Sequence, residues 1–185
     1  MSVANPVDVK WTTGDNVYVL SRSTATITEF STAGMSVRTV GSSGNALGQF
    51  YNPSGIITAA DGSPLVVDTG NNRLVQFLAS EPYALYGSQG TAPGQYSAPL
   101  NVALQGPRVY VADTGNNRIQ ALDSSTFNPV FTISSELGLS QPNSVSAAND
   151  AVQERIYIAD TGNNRVIEAA MPKVDPLASC WNPAK

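Results

Sequence analysis

The sequence predicts an all-β fold, a β-propeller of radially stacked four-stranded sheets, on three observations. The hexapeptide Asp-Thr-Gly-Asn-Asn-Arg occurs three times, at residues 68–73, 113–118 and 160–165, with its aspartates 45 and 47 residues apart. β-branched and aromatic residues flank every copy in short period-two or apolar runs, the pattern of strands. A period of roughly 46 residues then holds four such runs, the strand count of one propeller blade.

The first unit, residues 6–50, is degenerate, as terminal repeats tend to be. Pro6-Val7-Asp8-Val9 reads as its opening strand and Val17-Tyr18-Val19 as its second. Leu20-Ser21-Arg22-Ser23-Thr24-Ala25 fills the hexapeptide slot, Ile27, Glu29 and Phe30 mark a third strand, and Val37-Arg38-Thr39-Val40 a fourth. Two linker segments match each other: residues 41–50, ending Gly48-Gln49-Phe50, and residues 87–96, ending Gly94-Gln95-Tyr96. Both read as glycine-rich loops that carry the chain from one unit's outer strand to the next unit's inner strand. Leu137-Gly138-Leu139-Ser140-Gln141 is a worn third copy.

The later units are residues 51–96, 97–141 and 142–170, each opening on a proline: Pro53, Pro99 and Pro142. Proline suits a first strand residue, where no ladder bond is lost. Second strands are Leu65-Val66-Val67, Val109-Tyr110-Val111-Ala112 and Ile156-Tyr157-Ile158-Ala159. Third strands begin at Leu74, Ile119 and Val166, and fourth strands are Tyr83-Ala84-Leu85-Tyr86 and Pro129-Val130-Phe131-Thr132-Ile133. A proline-rich tail, residues 171–185, breaks the pattern. Its Trp181 is expected to anchor the tail on a blade.

Gly-Gln-Phe, then Pro-x-Gly-Ile, then Val-x-Asp-Thr-Gly-Asn-Asn-Arg closely resembles the NHL repeat, over about residues 6–169. The resemblance is specific in the three later units and weak in the first. It implies NHL-type blades around an axis, about four here where such propellers more often carry six. Three arrangements satisfy the pattern: a tightly curved closed ring, an open arc, or part of a larger propeller. The expectation is an open or partial ring completed by other chains, because exposed strand edges and apolar flanks invite association.

The hexapeptide is expected to be structural. Asp68, Asp113 and Asp160 end a strand; Arg73, Arg118 and Arg165 start the next, close enough to pair across a hairpin or cap the loop's backbone. Asn71 and Asn72, with Asn116, Asn117, Asn163 and Asn164, suit bonds to the loop backbone and left-handed conformations, as glycine does. Three identical copies suit a task done alike in each blade. Arg118→Ala should then lower stability by roughly 1.5–3 kcal/mol.

Composition narrows the functions. The net charge is −4 and ten basic residues form no cluster, which argues against phosphate neutralisation and so against nucleic acid. No apolar run is long enough for a membrane-spanning helix, and the first residues lack a secretory pattern. Histidine is absent, which removes Ser-His-Asp and Cys-His arrangements and the metal-bound histidines of NHL-like amidating lyases. The loop does not match an EF-hand, so no cofactor is expected, with calcium the one weakly supported candidate. Cys180 is the single cysteine and is expected to be a free thiol.

The reading is a non-enzymatic binding or assembly module that meets protein partners, or itself, through faces and blade edges. The divergent segments 134–141 and 148–154 are the first candidates for contact. One alternative is a structural subunit of a surface or filament assembly. Another is a propeller hydrolase or lyase with calcium in its channel, drawing on Asp8, Asp15, Asp61 and Asp150. Low lysine content and acidic balance lean towards an extracellular setting.

Overall fold

The computed structural model describes residues 2–12, 14–78, 81–134, 136–149 and 154–171. Four antiparallel meanders follow one another along the chain. Blade one is β1 (Pro6–Trp11), β2 (Val17–Ser21), β3 (Thr26–Phe30) and β4 (Ser36–Val40). A short parallel pair, β5 (Ser42–Ser43) with β6 (Gln49–Phe50), closes the first linker on itself. Blade two is β7 (Gly55–Thr58), β8 (Pro64–Asp68), β9 (Arg73–Leu78) and β10 (Glu81–Tyr86). Blade three is β11 (Asn101–Gln105), β12 (Arg108–Asp113), β13 (Arg118–Asp123) and β14 (Pro129–Ile133). Blade four has three strands among the described residues: β15 (Pro142–Asn149), β16 (Glu154–Asp160) and β17 (Arg165–Met171). The expected role of Trp181 and the state of Cys180 lie outside the described residues.

The innermost strands stand side by side in the order β1, β7, β11, β15. They line an open central groove of about 510 Å³, whose walls include Lys10, Thr58, Asn101 and Ser146. The core sits between blades, because strand period two sends alternate residues to opposite neighbours. In blade two, Ile56, Val66, Val75 and Phe77 pack on Tyr18, Leu20 and Ile27 of blade one. Their alternates Leu65, Val67 and Leu74 pack on Val102, Val109, Val111 and Leu122 of blade three. Blade three turns Tyr110, Ala112, Ile119 and Ala121 towards Val145, Ile156 and Ile158 of blade four. Every residue of β8 and β12 is therefore buried.

The end blades differ. β16 alternates buried with more open positions, and β17 is exposed or half-buried up to Met171, as in a sheet covered on one face. In blade one, Val9 and Trp11 are 57% and 59% exposed. Among the described residues the four blades thus form an arc with two uncovered flanks.

Blade one also corrects the sequence reading by one residue. Ser21 pairs with Thr26 as Asp68 pairs with Arg73, so the slot runs over residues 21–26 rather than 20–25. Leu20 is fully buried, and a hairpin cannot spare such a core position to its loop.

Candidate functional site

Each hexapeptide is a strand end, a single 3-10 turn and a strand start. The aspartate is the hub. Asp68 Oδ2 accepts from Arg73 Nε at 2.8 Å and Asn71 Nδ2 at 2.7 Å, while its Oδ1 accepts from the Tyr51 N–H at 2.7 Å. Asp113 repeats this with Arg118 Nε at 2.6 Å, Asn116 Nδ2 at 2.9 Å and the Ser97 N–H at 2.7 Å. Asp160 does so with Arg165 Nε at 2.6 Å, Asn163 Nδ2 at 2.8 Å and the Ser140 N–H at 2.7 Å. Burial raises the Asp160 pKa, but the bonds from Asn163, Ser140 and Arg165 outweigh it and hold the carboxyl below its usual range. All three aspartates are buried, and the structure brings the motif's aspartate, first asparagine and arginine together in this arrangement, while Asn72, Asn117 and Asn164 lie outside it.

Only the aspartate–arginine pairing matches the expected partners. The rest of each guanidinium reaches the linker, not the loop's own backbone. Arg73 donates to the carbonyls of Asn45, Ala46 and Gln49. Arg118 donates to those of Thr91, Ala92 and Gln95. Arg165 donates to those of Leu137 and Gly138 in the worn copy. Asn71, Asn116 and Asn163 add bonds to the carbonyls of Gly44, Gly90 and Gly138. Each motif thereby pins the linker that enters its own blade.

The left-handed position belongs to the second asparagine: Asn72, Asn117 and Asn164 have φ of 55°, 54° and 51°. The motif glycine is needed for another reason. A Cβ on Gly115 would lie 2.8 Å from the Ser97 carbonyl oxygen, and the N–H of Gly115 donates to that same oxygen.

A second function of the motif joins successive blades. Asn72 Oδ1 accepts from the Ala98 N–H at 2.7 Å, and Asn117 Oδ1 from the Gln141 N–H at 2.8 Å. Thr69 Oγ1 donates to the Pro99 carbonyl at 2.8 Å, and Thr114 Oγ1 to the Pro142 carbonyl at 2.7 Å. In blade one Arg22 takes over, donating from Nε to the Pro53 carbonyl at 3.2 Å. Inner strands add bonds of their own: the Ile56 N–H donates to Asp8 Oδ2 and the Val145 N–H to Asn101 Oδ1. Sequence reasoning passed over Thr69, Thr114, Asp8 and Asn101 as blade-joining residues. The signal for the threonines was their identity at position two of every copy.

Among the described residues, the carboxylates considered for a channel enzyme are engaged separately. Asp8 carries the Ile56 N–H, Asp61 holds Ser63, Asp15 sits in a turn, and Asp150 lies outside the described residues. Among the described residues no group of three or more His, Cys, Asp or Glu side chains is placed to hold a metal ion, and no helix is long and apolar enough to cross a membrane.

No family model matches the chain. NHL repeat-containing protein 3 from Homo sapiens is 35% identical over 114 residues, 55% of this chain and 32% of that protein. Its Mus musculus counterpart is 38% identical over 84 residues, 42% of this chain and 24% of that protein. Among solved structures, the catalytically inactive virginiamycin B lyase from Staphylococcus aureus with quinupristin aligns with a TM-score of 0.67 at 14% identity, covering 95% of this chain and 58% of that one. The nidogen/laminin complex aligns at 0.69 and 16%, covering 89% and 59%. Matches to the curated relatives thus span a third of their length or less, and the solved likenesses establish a propeller fold alone. The motif, the blades it closes and these relatives agree in one respect: the chain carries repeats similar to those of NHL repeat-containing proteins.

Proposed function

We propose that the chain is a non-enzymatic interaction and assembly module that meets protein partners through its blade flanks and loops. The observation that carries this reading is the pair of uncovered flanks. Val166 at 72% exposure and Val9 at 57% stand at positions that the neighbouring blades bury, as at Ile119 and Val102. Apolar area left in water is worth about 25 cal/mol per Å² when a partner covers it. The central groove supports the same reading: its charged lining among the described residues is Asp8 and Lys10, too little for acid–base work. Absence of histidine adds to this, since the commonest general base is missing.

The test is copurification from the native source with three forms of the chain: wild type, Val166→Glu on a flank and Lys10→Ala in the groove. Partners held by the wild type and Lys10→Ala but lost by Val166→Glu support the module. Loss on Lys10→Ala alone, or a melting temperature that rises with millimolar calcium, would favour a channel-centred enzyme instead.

A further inference from the structure

The two uncovered flanks carry matching halves of the joint that fastens one blade to the next, and we propose that they join head to tail between two copies of this chain. This rests on the interaction-module reading and names one partner for it, the chain itself.

Blade four presents the donating half. Thr69 and Thr114 are buried against the next blade's proline, whereas Thr161 is exposed and, among the described residues, its hydroxyl reaches the Ala159 carbonyl alone, at 3.4 Å. Asn164 holds the left-handed conformation of Asn72 and Asn117, yet no next-blade N–H meets its Oδ1 among the described residues. Tyr157 and Val166 stand where Tyr110 and Ile119 stand in blade three. The blade-three pair is fully buried under blade four, while Tyr157 and Val166 are 38% and 72% exposed.

Blade one presents the receiving half. Every later inner strand is preceded by a left-handed residue and opened by a buried proline: Asn52-Pro53, Ala98-Pro99 and Gln141-Pro142. Asn5-Pro6 repeats the device, with Asn5 at φ 46°, but both residues are exposed, with no blade packed against them among the described residues. The register repeats as well. Pro6 pairs with Ser21 and Val9 with Val19, as Pro142 pairs with Asp160 and Val145 with Ile158. Val145 and Ile158 are the residues blade four buries against blade three. Their counterparts Val9 and Val19, with Trp11 beside them, face outward from blade one. An apolar inner-strand face is therefore available for the Tyr157–Val166 surface.

A contact between different surfaces of two copies is heterologous and closes only if the rotation allows. Two copies supply eight sheets, the upper end of the usual range for propellers of about four to eight blades, so closure at two copies is the expected assembly.

Sedimentation of the purified 185-residue chain over a dilution series, with Val166→Glu and Trp11→Glu, tests this. Wild type should pass from monomer to dimer with concentration. Each variant alone should remain monomeric with unchanged circular dichroism, because each spoils one half of both joints. Mixing the two variants should restore a dimer, since one joint then pairs two intact halves. Wild type that stays monomeric throughout would overturn the proposal, including by its own residues 172–185 covering the flank. A Trp11→Glu chain that dimerises alone would do so too, as would a mixture that does not. None of these results would remove partners found by copurification, so the wider reading stands or falls separately.

Discussion

Replacing Arg118 with alanine removes four charge-assisted bonds: Nε to Asp113 at 2.6 Å, Nη1 to the Thr91 carbonyl at 2.6 Å, and Nη2 to those of Ala92 and Gln95 at 3.0 and 2.8 Å. Asp113, fully buried, keeps the neutral donors Asn116, Gln120 and the Ser97 N–H. Breaking a buried ion pair from one side costs about 3–5 kcal/mol. The remaining donors place this case at the low end, about 3 kcal/mol, and a chain of this size loses about 2–4 °C in Tm per kcal/mol. Differential scanning calorimetry should therefore show Arg118→Ala melting about 6–12 °C below wild type. Arg165 makes the same aspartate bond, but its side chain is 45% exposed against 10% for Arg118. Water can rehydrate what Arg165→Ala uncovers, so its loss should be about 1 kcal/mol. Equal losses for the two variants, or an unchanged Tm for Arg118→Ala, would refute the argument that burial sets the strength of the motif.

Gly115→Ala should cost about 1–3 kcal/mol in urea unfolding, because the added methyl meets the Ser97 backbone with no room to relax. Thr114→Val keeps the shape but leaves the Pro142 carbonyl without its donor, for a loss of about 1–2 kcal/mol, whereas Thr161→Val should leave the monomer's Tm unmoved. Acid should destabilise the chain. A carboxyl whose folded pKa is depressed contributes stability above its unfolded value of about 3.9, and that contribution is lost as pH falls through the folded pKa. Asp160 is depressed in this way, and Asp123 is held at about 2 by the Ser125 hydroxyl and the Thr126 and Ser125 N–H groups. Tm measured from pH 5 downward should therefore drop below about pH 4, less steeply in Asp160→Asn.

Strand placement was legible because period-two patterning is a local property: β8, β12 and β16 lie where the apolar runs before each hexapeptide put them. The hairpin and its aspartate–arginine pair were legible for the same reason, five residues being a local span. Asn71 was different. Its amide bonds the Gly44 carbonyl, and nothing in the loop itself says which distant carbonyl will arrive there. Positive φ was expected of glycine and asparagine alike; Asn72 takes that conformation, while Gly70 serves the close approach of Tyr51. Composition cannot separate those two uses of glycine. The blade-one slot slipped by one residue because Ser21 stands in the place of Asp68 and Arg22 does the work of Thr69 with a different side chain, which leaves no letters to align.

Native-state hydrogen exchange at Gln141 tests the blade-to-blade clasp most directly, comparing wild type with Asn117→Gly, which preserves the left-handed backbone and removes only the amide. The Gln141 N–H should be strongly protected in the wild type and exchange much faster in the variant, while the amides of β12 and β13 stay protected in both. A Gln141 amide that exchanges like an exposed loop in the wild type, or at the same rate in both proteins, would contradict the clasp.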